Sequence, residues 1–164
     1  MPDREHLLTT KEMARFVADG YLRFDELVPG PINEAAHRQM EAGIPRPAGG
    51  SPLRGMWEGT PIGDFIRLPR VQGIMASLVG ADPLYDHHAV HIVPANREEG
   101  QIWHADAIID TRLHFDVQFF YFPHDTPRPM GGTMILPGSH YRRISESDIA
   151  RYQNFLGQQA MVCK

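Results

Sequence analysis

Residues 130–140 read MGGTMILPGSH and contain the most specific arrangement of turn and apolar residues in the chain. This stretch begins with the glycine pair Gly131 and Gly132, continues through the mainly apolar residues 133–136 and ends in the Pro-Gly-Ser-His sequence of 137–140. Glycine and proline favour turns, and a short apolar run between turn signals is typical of a buried β-strand. The stretch therefore predicts a strand at 133–136 between two turns.

Further strands are predicted on both sides of this stretch. From Leu84 the hydrophobic pattern has a period of two, which is the period of a strand. Strands are therefore predicted at Leu84–Val93, Gln101–Ile108 and Phe115–Phe122, and the aromatic content of the last one indicates burial on both faces. Gln159–Cys163 is similar to the beginning of another strand.

The N-terminal part, residues 1–80, is predicted to be mainly helical. Thr9 and Glu12 have the spacing of a capping box, which starts a helix, and Gly20 can end it. Apolar residues recur at helical spacing before Gly80, which is typical of a helix that buries one face. Further helices are predicted at Pro31–Gly43, Pro69–Val79 and Glu146–Leu156, and a short strand at Tyr21–Phe24.

Residues 43–63 contain ten glycines and prolines, and they are predicted to form one long loop. Trp57 in this loop is either part of a lid or a simple packing anchor. Helices followed by strands favour an α+β or mainly β domain over alternating β-α-β units. We expect a single domain over 1–164, with its strands in 84–164.

Composition excludes several classes of protein. The 164 residues are 42% hydrophobic and 22% charged, with a net charge of −4, so the chain lacks the basic excess of a nucleic-acid binder. No run approaches the roughly 18 apolar residues of a membrane-spanning helix, and the start lacks the apolar segment of a signal peptide. The single cysteine, Cys163, excludes an internal disulfide and a multi-cysteine zinc site. These features predict a cytoplasmic protein without a nucleic-acid or membrane partner.

The predicted strand Gln101–Ile108 carries a candidate metal-binding pair. Alternate residues of a strand share a face, so His104 and Asp106 point to the same side. One imidazole and one carboxylate are two of the three ligands in the facial triad that binds non-haem Fe(II). Taken alone, a His-x-Asp pair is more often a surface or hydrogen-bonded pair than a metal site.

The order of motifs around this pair resembles the phytanoyl-CoA dioxygenase family. His104 and Asp106 are followed by an aromatic strand, a glycine-rich turn, a short apolar strand and the Pro-Gly-Ser-His turn. Asp19–Leu22 and Leu78–Gly80 are similar to the N-terminal half of the same family. The resemblance implies a cupin-like double-stranded β-helix, or jelly roll, with N-terminal helices that buttress one side.

The resemblance also implies an activity and its cofactors. Members of the family are Fe(II)- and 2-oxoglutarate-dependent oxygenases, which use dioxygen to hydroxylate an organic substrate. His104 and Asp106 match the first two iron ligands of the family. The substrate itself is not predicted, and the chain has no basic cluster for a coenzyme A phosphate.

The chain departs from the family pattern in its last part. The third ligand, a late histidine, and the arginine that anchors 2-oxoglutarate are not found in this chain. His140 belongs to the Pro-Gly-Ser-His turn and is predicted to be structural, while Arg142 and Arg143 follow that turn too closely to be assigned as the anchor. A jelly roll needs about eight strands, and fewer are predicted here. The chain is accordingly expected to be a fragment, a degenerate domain or one part of an oligomer that completes the barrel.

Other interpretations of the histidines stay open. His91 is a weak candidate for contact with the cosubstrate, and a solvated or hydrogen-bonded core histidine is the simpler interpretation. A non-catalytic protein with the same fold is the main alternative function. A cupin-like metal-binding domain with hydrolytic or isomerase chemistry is the third hypothesis.

Overall fold

Helices form most of the regular structure in residues 2–42, 58–85, 116–141 and 159–160, which are the residues that the computed structural model describes. The four α-helices in these ranges are α1 (Thr10–Asp19), α2 (Gly30–Ala42), α3 (Pro61–Arg67) and α4 (Pro69–Val79). Short 3-10 turns lie at Arg4–His6, Arg128–Met130 and Ser139–Tyr141, and the two short strands are β1 (Met134–Ile135) and β2 (Gln159–Ala160).

The chain divides into two compact units. The first unit contains Met1–Leu8, Glu26–Ile92 and Phe119–His124, and the second contains Thr9–Asp25, Val93–Gln118 and Asp125–Lys164. Helices α2, α3 and α4 therefore belong to the first unit, whereas α1, β1 and β2 belong to the second.

The core of the first unit lies where α3 and α4 meet. Phe65, Val71 and Met75 are buried there, and Val71 is fully shielded from solvent. Partly buried side chains from α2 and from the segment Phe119–His124 surround this core, among them Ile32 and Tyr121. Burial of such side chains contributes about 1.5–3 kcal/mol each, so this cluster stabilises the packing of α3 against α4.

The N-terminal residues of the first unit lie directly on α4. Gly73 allows this approach, because a Cβ atom there would overlap the backbone carbonyl of His6. Arg70 Nη1 donates to the carbonyl oxygens of His6 (3.0 Å) and Leu7 (2.6 Å). The Leu8 N–H donates to Ser77 Oγ at 2.9 Å, so residues 6–8 of this segment are hydrogen-bonded to α4.

The second unit begins with α1, whose first turn carries the capping box. The Glu12 N–H donates to Thr9 Oγ1 at 3.2 Å, and the Thr9 N–H donates to Glu12 Oε2 at 2.7 Å. Gly20 ends the helix in the left-handed conformation, with φ +81°, and its N–H donates to the Phe16 carbonyl at 2.8 Å. Glycine adopts this conformation without the steric penalty of a Cβ atom.

The two strands of the second unit pair antiparallel. Met134 lies opposite Ala160, and Ile135 lies opposite Gln159. Leu136 follows β1 directly, and its side chain is buried, with 5% of its surface exposed.

Several predicted elements are confirmed. The helix that starts at the Thr9 capping box and the helix at Pro69–Val79 are α1 and α4, and α2 begins one residue before the predicted Pro31. The strand predicted at 133–136 contains β1, and the strand predicted from Gln159 begins as β2.

Other predicted elements are wrong in the described residues. Residues 61–63 of the predicted loop belong to α3, because Thr60 accepts a hydrogen bond from the Gly63 N–H and Pro61 occupies the first turn. Tyr21–Phe24 forms no strand, and neither do residues 116–122, where Phe119 and Phe120 are 39% and 50% exposed. The helix predicted at 146–156 lies outside the described residues, as does nearly all of the strand region 84–108. The predicted jelly roll therefore stays a prediction.

No helix in the described ranges has the length and the apolar character that crossing a bilayer requires.

Candidate functional site

The predicted iron ligands fall in a part of the chain that the structure leaves undescribed. His104, Asp106 and the weaker candidate His91 all lie between residues 86 and 115, outside the described ranges. The described residues do include the other segments that carry the family resemblance, Asp19–Leu22, Leu78–Gly80 and the stretch 130–140.

Two of these segments contact each other at the C-terminal end of α1. The Gly138 N–H donates to the Asp19 carbonyl at 2.8 Å, and His140 Nε2 donates to the Val17 carbonyl at 3.0 Å. The Tyr141 hydroxyl donates to the same Val17 carbonyl. The last carbonyl groups of a helix lack partners inside the helix, so the Pro-Gly-Ser-His turn supplies donors where α1 needs them.

Gly20 allows the Pro-Gly-Ser-His turn to lie close to the end of α1. A Cβ atom on Gly20 would overlap the imidazole ring of His140. That ring also lies against the ring of Tyr141, with 4.0 Å between the centroids. The side chain of His140 thus hydrogen-bonds the turn to α1, which agrees with the structural role predicted for it.

A second candidate site is a cavity of about 420 Å³ in the first unit. One of its walls is a face of α2, and the other is the end of the segment Phe119–His124. The side chains that line it and can bind a ligand are Asn33, Glu34, His37, Arg38 and His124.

The cavity brings ionisable groups of both signs together. The rings of His37 and His124 meet edge to face, with centroids 5.3 Å apart and an interplanar angle of 89°. His37 Nδ1 lies 3.7 Å from Glu41 Oε2, and Arg38 Nη1 lies 3.8 Å from Glu34 Oε2. Both pairs span one helical turn and are largely exposed, so each contributes at most about 0.5 kcal/mol.

Tyr121 positions the wall that carries His124. Its ring stacks on Phe65 at a centroid distance of 4.4 Å, and its hydroxyl donates to Asn33 Oδ1 at 2.7 Å. Asn33 Nδ2 donates in turn to the Val28 carbonyl at 3.1 Å. Burial raises the pKa of Tyr121 to about 12, so the hydroxyl stays protonated and continues to donate at a pH where an exposed tyrosine has ionised.

A third group of possible ligands, Asp3, Glu5 and His6, lies at the N-terminal 3-10 turn. Their ligand atoms lie within 4.8 Å of one another, and both acidic residues are exposed. Exposed acidic groups of this kind are common without a bound ion. The group therefore receives no functional assignment.

The cavity residues were not predicted as a site from the sequence. Glu34, His37 and Glu41 are spaced by three and four residues, which places them on one face of a helix. That spacing was a detectable signal on α2. His124 lies 87 positions after His37, and no local pattern joins them.

No family model, curated protein or solved structure matches the chain.

Proposed function

We propose that this protein is a non-haem Fe(II)- and 2-oxoglutarate-dependent dioxygenase that hydroxylates a small organic molecule. The single observation that carries the proposal is the order of motifs in the sequence. The pair His104 and Asp106 is followed by the glycine-rich turn, the short apolar strand and the Pro-Gly-Ser-His turn of residues 130–140.

The donor set fits the ion. An imidazole and a carboxylate, two positions apart in the predicted strand Gln101–Ile108, are two of the three ligand types of the facial triad, which leaves positions open for other ligands. His104 and Asp106 would hold the iron, and the bound iron would supply the coupling of 2-oxoglutarate decarboxylation to substrate hydroxylation by dioxygen. The third ligand and the 2-oxoglutarate anchor have no assignment in this chain.

A contact between described residues supports the proposal. Asp19 belongs to one segment that resembles the family and Gly138 to another, and the Gly138 N–H donates to the Asp19 carbonyl. His140 adds a second hydrogen bond of the same turn, to the Val17 carbonyl. The described residues of the turn thus have a structural part in the proposed enzyme. We propose a cytoplasmic location for the enzyme, which subcellular fractionation tests.

The test is 2-oxoglutarate turnover by the full chain without substrate. The parent protein, His104→Ala, Asp106→Ala and the control His114→Ala are supplied with Fe(II), ascorbate and 2-oxoglutarate in air. We expect succinate from the parent and the control, and at least a hundredfold less from the other two variants. The activity would come from a different site if both ligand variants kept the parent rate.

An anaerobic titration separates the oxygenase from the two alternatives. Addition of Fe(II) and 2-oxoglutarate should produce a visible charge-transfer absorption that His104→Ala abolishes. A non-catalytic protein of the same fold would give no such band. A cupin-like hydrolase or isomerase would keep its activity with zinc, whereas the proposed oxygenase would lose it because zinc has no redox chemistry.

A further inference from the structure

We draw no further inference here: the strongest candidate, the exposed aromatic pair Phe119 and Phe120 in the segment Phe119–His124 of the first unit, is an apolar surface patch, and nothing in the described ranges of the chain shows what covers it.

Discussion

Replacement of Gly20 by alanine tests how the Pro-Gly-Ser-His turn is fastened to α1. Gly20 has φ +81°, a conformation that costs a residue with a Cβ atom about 1 kcal/mol. The new methyl group would also overlap the imidazole of His140, which then has to leave its position against Val17. The lost hydrogen bond adds about 1 kcal/mol. We expect Gly20→Ala to lower the free energy of unfolding by about 2–3 kcal/mol.

The assay is urea unfolding followed by circular dichroism, and the chain offers a matched control. Gly131 has φ +80°, and no described atom lies within 4 Å of the position its Cβ would take. Gly131→Ala therefore reports the conformational cost alone, about 1 kcal/mol. The excess cost of Gly20→Ala over Gly131→Ala measures the contact with His140.

A double-mutant cycle tests whether the excess cost of Gly20→Ala comes from His140. In a His140→Ala background the methyl group on Gly20→Ala has no ring to displace, so its cost should fall to that of Gly131→Ala. An unchanged cost of Gly20→Ala in the two backgrounds would show that His140 does not fasten the turn to the helix.

Two further predictions concern single side chains of the first unit. Because burial raises the pKa of Tyr121 to about 12, the unfolded chain loses this proton near pH 10 while the folded chain keeps it. The free energy of unfolding should therefore fall by about 1 kcal/mol between pH 10 and 12, after allowance for partial exposure of the ring. Urea unfolding curves of Tyr121→Phe should lack this fall. An identical fall in the variant would contradict the assignment to Tyr121. Gln39 Oε1 is buried without a hydrogen-bond partner among the described residues, so Gln39→Met should raise the free energy of unfolding by about 1 kcal/mol. The control Gln72→Met should lower the free energy of unfolding by a similar amount, because Gln72 Nε2 donates to the Ile66 carbonyl at 2.6 Å. A loss of stability in both variants would show that Gln39 Oε1 has a hydrogen-bond partner.

The helices could be predicted where their signals are local. The capping box of Thr9 and Glu12 and the glycine at position 20 mark both ends of α1, and these interactions form between residues three or four apart. Helix α3 has an equally local signal in Thr60 and Pro61, but the many glycines and prolines of residues 43–63 obscured it.

The strands and the sites depend on distant partners, which a local pattern does not contain. The aromatic residues 116–122 have strand-like composition, yet a strand also needs a neighbour for its backbone hydrogen bonds. The cavity likewise joins His37 and His124 across 87 positions. Its half on α2 has a recognisable spacing, while the other half depends on where Tyr121 meets Phe65.

The long-range contact of α1 can form only late in the synthesis of the chain on the ribosome. Val17 accepts hydrogen bonds from His140 and Tyr141, which follow it by 123 and 124 positions. At a synthesis rate of about 5–20 residues per second, His140 and Tyr141 are added roughly 6–25 s after Val17. In a nascent chain that ends before residue 138, these carbonyl groups are hydrogen-bonded to water instead. Release of residues 138–141 from the exit tunnel therefore supplies these partners to the end of α1.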